Sequence, residues 1–187
     1  MTTSTQTWTK KLVQEHAQTA VAVELYTLPF YLTALTSIKD TKNPIYKTIL
    51  SVCIEEMLHL QLAANLCLAL GTTPNFTSPK YGTPIKFLKP DDPDTKHNSL
   101  INAKLDALNE TTLAMMLDIE TPSEFEPKDH TTPNYPYETL GTLYDALLKG
   151  IKTVGLGEFP WTTKNQQYLV GNNRKKNEGG MTGKSNP

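Results

Sequence analysis

The side chains best suited to chemistry lie in segment 55–59, which reads Glu-Glu-Met-Leu-His. Residues three and four apart on an α-helix share a face, so Glu56 and His59 can approach one point in space. Glu56 continues an apolar stripe, whereas Glu55 lines up with a less apolar side of the same helix. We therefore predict that Glu56 is buried and that Glu55 is not. The stripe consists of Ile49, Val52, Cys53, Glu56, Leu60, Ala63, Cys67 and Leu70.

Two further glutamates, Glu24 and Glu120, lie within the apolar stripes of other helical segments. Burying a carboxylate without a partner costs several kcal/mol or neutralises the group. These stripes offer no matching number of Lys or Arg, so a divalent metal ion is the natural counter-charge. Helix bundles with dinuclear iron or manganese centres use single Glu residues and Glu-x-x-His pairs that face inward. The sequence thus predicts a metal site. Its candidate ligands are Glu24, Glu56, His59 and Glu120.

Interpretations without a metal stay open for these residues. Glu56 and His59 can form a structural hydrogen-bonded pair. Glu120 lies at a helix end beside Pro122, where solvent can reach it. His16, on the Glu24 side of the first helix, is assigned to the core or its rim rather than to the metal site.

Hydrophobic periodicity predicts the helices that must position these side chains, and it indicates an all-α fold with long proline-rich connections. Pro29 falls inside the first helix and is expected to kink or break it locally after Glu24. The second helix is apolar on nearly every side, which indicates burial all round. The predicted helices span residues 8–37, 45–70, 109–121 and 137–154.

The length and charge of the chain restrict its class. Its 187 residues are enough for one domain with a real core. We expect this domain to span residues 1–168, followed by a polar, disordered tail over 169–187. The net charge of −1 leaves no electrostatic footprint for nucleic acid, so no nucleic-acid partner is expected.

The cysteines and the N-terminus indicate the compartment. Cys53 and Cys67 lie in one predicted helix, and at ~1.5 Å rise per residue they stand about 21 Å apart, beyond the ~7 Å limit for a disulfide. Free thiols fit a reducing compartment. The polar N-terminus carries no apolar signal region, and charged residues interrupt the most apolar segment, so we expect no membrane span. A cytoplasmic location is predicted.

Four segments resemble those of one known family. Residues 24–35 resemble its Glu-x-x-Thr-Ile-Pro-x-Tyr-Leu segment, and residues 55–60 closely resemble its second helix. Residues 118–122 are similar to its Ile-Glu-x-Pro helix end, and residues 139–144 look like its Thr-Ile-Gly-x-x-Tyr element. This is a ferritin-like family that includes the domain found in iminophenylpyruvate dimer synthases of violacein- and rebeccamycin-type biosynthesis.

The resemblance covers about residues 12–168 and implies a ferritin-like four-helix bundle. In the family a further helix follows, with a Gln-Gly-Glu-Gly turn and a second Glu-x-x-His pair, and this chain has neither. We therefore expect mononuclear or sub-stoichiometric metal per chain. We also expect a homo-oligomer or a complex with a partner protein. The ligand set implied by the resemblance is Glu24, Glu56, His59 and Glu120.

The metal site and the resemblance together predict a non-haem iron or manganese oxidoreductase that acts on a small molecule in secondary metabolism. Tyr26 or Tyr31 is expected to donate a hydrogen bond near the ligands. The alternative is a non-catalytic helical binding or structural module with a degenerate metal site. The sequence assigns no catalytic residue.

Overall fold

The computed structural model describes residues 7–77, 79–88, 103–120, 133, 135–137 and 139–161. Within those ranges the chain forms four α-helices, one 3₁₀ helix and no strand, which confirms the all-α prediction. The predicted tail over 169–187 lies outside the described residues. The helices are α1 (Lys10–Thr36), α2 (Pro44–Ala69), α3 (Glu110–Ile119) and α4 (Leu140–Val154), and the 3₁₀ helix is Leu156–Glu158.

The helix starts follow from local capping chemistry. The Asn109 side chain accepts a hydrogen bond from the Thr112 backbone N–H, and the Thr112 hydroxyl accepts one from the Asn109 N–H. Thr139 and Thr142 form the same reciprocal pair at the start of α4. Each pair satisfies two backbone donors that a helix start would otherwise leave unpaired. The predicted boundaries are therefore confirmed to within a few residues.

Proline does not interrupt α1, so of the kink or break predicted after Glu24 the break is wrong. The helix runs without interruption from Lys10 to Thr36. A proline removes one backbone hydrogen bond and crowds the preceding turn. The flanking residues Phe30 and Leu28 are buried, and the Thr33 hydroxyl donates to the Pro29 carbonyl at 2.7 Å. We infer that packing on both sides of Pro29 outweighs the local cost.

The bundle is organised around α1, which packs against both α2 and α4. Its aromatic residues Tyr26, Phe30 and Tyr31 are fully buried. The predicted burial of α2 on all sides is wrong, because one face of the helix is buried and large apolar side chains on its other faces are exposed. The buried side chains of α2 are Ile49, Cys53, Glu56, Ala63, Ala64 and Cys67. Large apolar side chains that stay exposed on it are Ile45, Ile54, Met57, Leu58 and Leu62.

Two further features of α2 bear on the sequence predictions. Cys53 and Cys67 are buried and free, so the exclusion of a disulfide between them is confirmed. By length and composition alone, α2 is also apolar enough to cross a membrane. That is weak evidence, since core helices of soluble proteins pass the same test.

Gly150 is the point where α4 meets the N-terminal Trp8. A Cβ atom at Gly150 would lie 2.6 Å from Cε3 and 2.7 Å from Cζ3 of Trp8, which is itself buried. We expect Gly150→Ala to lower the free energy of unfolding by about 1–3 kcal/mol, as overpacked core substitutions do. Denaturant unfolding followed by circular dichroism measures this change.

Gly157→Ala is the matched control, because a Cβ there meets no atom within 4 Å. It should change the free energy of unfolding by less than about 0.5 kcal/mol. A Gly150→Ala protein as stable as the wild type would contradict the close contact between α4 and Trp8.

Candidate metal centre

Three of the predicted ligands meet between α1 and α2. One ligand atom from each of Glu24, Glu56 and His59 lies within 4.8 Å of the other two. Nδ1 of His59 is 3.1 Å from Oε1 of Glu56 and 3.9 Å from Oε2 of Glu24. The glutamate side chains are only 7% and 5% exposed, whereas the His59 side chain is 46% exposed. The site is thus buried on its carboxylate side and open on its histidine side.

The helix rotation inferred for α2 is confirmed. Glu56 is 4% exposed, whereas its neighbour Glu55 is exposed. The three-residue spacing between Glu56 and His59 brings their side chains into hydrogen-bond contact across one turn. Periodicity alone therefore identified which of two adjacent glutamates faces α1.

Two hydroxyl groups complete the surroundings of the carboxylates. The Tyr144 hydroxyl donates to Oε1 of Glu24, and the Thr27 hydroxyl donates to Oε2 of Glu56. Neither residue was among the site residues predicted from the sequence. A signal existed for Thr27, which follows Glu24 at i+3 and so shares its helix face. Tyr144 comes from α4, and its contact with Glu24 depends on tertiary packing.

Glu120 lies beside the cluster but outside the three-donor group. It caps the C-terminal end of α3, is exposed, and accepts a hydrogen bond of 2.7 Å from the Tyr31 hydroxyl. Tyr31 thus donates to a candidate ligand outside the group, and its expected role beside the metal stays a prediction. Tyr26 makes its described contact elsewhere, since its carbonyl accepts from the Tyr81 hydroxyl at 2.8 Å. The role of Glu120 as a ligand stays a prediction.

Burial makes both acids unfavourable as anions. It raises the pKa of Glu24 to about 7, and the negative charges of Glu56 and Glu120 add to this, whereas the hydrogen bond from Tyr144 opposes it. Burial also raises the pKa of Glu56, against the hydrogen bond from Thr27. Within the described ranges, no Lys or Arg forms an ion pair with either acid.

The donor set therefore fits a divalent cation. Two carboxylate oxygens supply negative charge in a region of low dielectric, and an imidazole nitrogen supplies a neutral donor. His59 is the one nearby group that can carry positive charge among the described residues, and it cannot balance two carboxylates. A group of Glu24, Glu56 and His59 that could hold a metal ion is thus present in the bundle.

His16 belongs to the core, as predicted. It is fully buried, and burial lowers its pKa. Its Nδ1 lies 2.8 Å from the Leu12 carbonyl and its Nε2 lies 3.0 Å from the Tyr137 hydroxyl. Because a carbonyl can only accept, Nδ1 carries the proton and Nε2 accepts from Tyr137. The imidazole also stacks on the Phe87 ring, so both of its nitrogens are used structurally.

The raised pKa of Glu24 predicts how the stability of the metal-free protein changes with pH. Because the folded pKa is about 7 and the ordinary value is 4.5, the folded chain binds this proton more tightly than the unfolded chain. The stabilising contribution is complete below the ordinary pKa and is lost as pH rises through the folded one. We expect a loss of at most about 3 kcal/mol between these two values, measured by denaturant unfolding at a series of pH values.

Glu24→Gln removes this titration while keeping the size of the side chain, so its unfolding free energy should fall less steeply with pH. Glu55→Gln is the control, because Glu55 is exposed and its loss should leave the slope unchanged. The assignment fails if Glu24→Gln and the wild type show the same slope.

Comparisons with known proteins agree with this fold. The ferritin-like family model matches residues 17–182. A ferritin-like protein from Caulobacter vibrioides is 31% identical, and the two structures align with a TM-score of 0.66. The alignment covers 80% of this chain and 54% of that protein, so the chain spans about half the length of its neighbour. No curated protein sequence matches the chain. On the family match and the structural likeness, the chain belongs to the ferritin-like family.

Proposed function

We propose that this chain is a non-haem iron oxidoreductase that acts on a small molecule in secondary metabolism, with manganese as the second candidate metal. The observation that supports a metal function is the convergence of Glu24, Glu56 and His59 on one point between two helices. The resemblance to the iminophenylpyruvate dimer synthase kind supports the class of reaction. Free cysteines fit the cytoplasmic location that belongs to this proposal.

The side chains at such a centre would have different roles. Glu24, Glu56 and His59 would hold the ion, and bound non-haem iron supplies one-electron and dioxygen chemistry. The two buried carboxylates offset a divalent charge, while the exposed side of His59 lets a small molecule approach. Burial raises the pKa of Tyr144 and of Tyr31, so both phenols keep their protons and remain hydrogen-bond donors.

The alternative function is a non-catalytic helical module with a degenerate metal site. Two observations favour it: the three-donor group contains a single histidine, and Glu120 lies outside that group. Three protein donors are enough to bind a metal and leave positions open for other molecules. Metal binding would therefore be shared by both functions, and turnover would separate them.

Metal analysis tests the site that both functions require. Protein loaded with Fe(II) under anaerobic conditions is expected to retain a single iron ion per chain after gel filtration. Glu56→Ala and His59→Ala should each abolish this retention, because each removes one of the three ligands. Glu55→Ala is the matched control and should retain iron like the wild type, since its side chain is exposed.

Dioxygen uptake then separates the two functions. An oxidoreductase centre should consume dioxygen faster than the same concentration of free Fe(II), and Glu56→Ala should remove the difference. Iron-loaded wild type that is no faster than free Fe(II) would favour the degenerate module. Two tightly held iron ions on a monomeric chain would contradict the single-ion site.

We also propose that the chain self-associates through α2. The side chains of Ile54, Leu58 and Leu62 are 54%, 46% and 56% exposed and form one stripe at four-residue spacing. Exposed apolar patches of this kind mark interaction surfaces. The spacing is symmetric about Leu58, so the stripe can pair with a second copy of itself about a two-fold axis. The neighbouring His59 would lie at the edge of that contact.

Light scattering with gel filtration tests the association. The wild type is expected to be a dimer or larger, and Leu58→Glu should be monomeric because it places a charge at the centre of the stripe. Leu148→Glu is the control, since Leu148 is similarly exposed on α4 and should leave the assembly unchanged. A wild-type chain that stays monomeric at all concentrations would rule out this surface.

A further inference from the structure

The two oxygens of each buried carboxylate lie in different surroundings. Oε1 of Glu24 accepts from the Tyr144 hydroxyl, and its Oε2 faces Nδ1 of His59 at 3.9 Å. Oε2 of Glu56 accepts from the Thr27 hydroxyl, and its Oε1 faces the same Nδ1 at 3.1 Å. In both acids, one oxygen is therefore held by a hydroxyl donor and the other points to the shared centre.

We propose that Tyr144 and Thr27 are positioning residues that make Glu24 and Glu56 monodentate ligands of the metal ion, each bound through one oxygen. The ligand atoms would then be Oε2 of Glu24, Oε1 of Glu56 and Nδ1 of His59. This inference rests on the metal site proposed above and adds to it which atom of each ligand binds. It also assigns a role to two residues outside the ligand set.

The two hydroxyl donors are fixed by the packing around them. Tyr144 is carried by α4 and, partly buried, packs against the core cluster that contains Leu143 and Leu147. Thr27 is 1% exposed, and its single hydroxyl proton is shared between Oε2 of Glu56 and the Glu24 carbonyl at 3.0 Å. Packing thus holds both donors beside the acids, and each hydrogen bond restrains the rotation of one carboxylate.

Monodentate binding of the two carboxylates changes the number of coordination positions that stay open. A carboxylate that binds through both oxygens occupies two positions around an ion, whereas a restrained one occupies a single position. Glu24, Glu56 and His59 would then take three positions and leave the remainder for molecules that enter beside the exposed His59. The hydroxyl donors therefore control how many positions remain open, which decides what the centre can bind.

A purely structural role predicts something different. Buried acids need hydrogen-bond partners whether or not they bind a metal. If Tyr144 and Thr27 only satisfy that need, removing a hydroxyl lowers stability but leaves the metal environment as it was. Co(II) distinguishes the two roles, because its visible absorption is stronger with fewer ligands than in a six-coordinate site.

The experiment titrates Co(II) alone into the metal-free chain and follows both its dissociation constant and its visible spectrum. Tyr144→Phe and Thr27→Val are each expected to raise the dissociation constant by about 10- to 100-fold, as loss of supporting hydrogen bonds does. Each should also weaken the absorption, because the released oxygen adds to the coordination. Thr27→Ser restores a hydroxyl and should restore both values.

Tyr137→Phe is the matched control, since it removes a buried tyrosine hydroxyl that pairs with His16 instead. It should keep the wild-type dissociation constant and spectrum even where it lowers stability. Tyr144→Phe and Thr27→Val proteins that bind Co(II) with wild-type affinity and spectrum would overturn the positioning role and leave the metal site standing. A wild-type chain that takes up no Co(II) would overturn both.

Discussion

Two carboxylates buried in the contact between α1 and α2 constrain the packing of the whole bundle. An unpaired acid in that contact would cost several kcal/mol, and three of the helices supply partners. His59 comes from α2, Thr27 from α1 itself, and Tyr144 from α4. Tyr144 reaches Glu24 only when α4 is packed on α1. The hydrogen bonding of the buried acids and the packing of the helices therefore depend on each other. The site is therefore part of what defines the arrangement of the helices.

The burial of the two long helices is unequal, and this sets the position of the site. α1 contacts both α2 and α4, whereas α2 presents Leu58 and its neighbours outward. The composition of α2 could not reveal that one of its faces is exposed, since apolar residues are equally compatible with a core and with an interaction surface. The consequence is a centre at the edge of the described helices. Its carboxylates are shielded, and His59 faces outward.

The parts of the site that the sequence could predict depend on short-range geometry. The choice of Glu56 over Glu55 and the start of α3 at Asn109 follow from helical periodicity and capping, which involve residues three or four apart. The bond from Tyr144 to Glu24 joins residues 120 positions apart. No local rule contains that contact, because it exists only after α4 has packed on α1. The ligand candidates were thus accessible from the sequence, and so was Thr27 through its i+3 spacing from Glu24, whereas Tyr144 was not.

Burial also links folding to metal binding through the same two acids. Desolvation raises the pKa of Glu24 and of Glu56, so the metal-free chain favours protons at the positions where a cation would bind. A cation must displace those protons, and in return it removes the repulsion among Glu24, Glu56 and Glu120. A ligand that binds the folded chain and not the unfolded one raises the free energy of unfolding. A metal ion at this site can therefore both stabilise the fold and take part in catalysis. Both roles follow from the burial of two acids in an apolar helix contact.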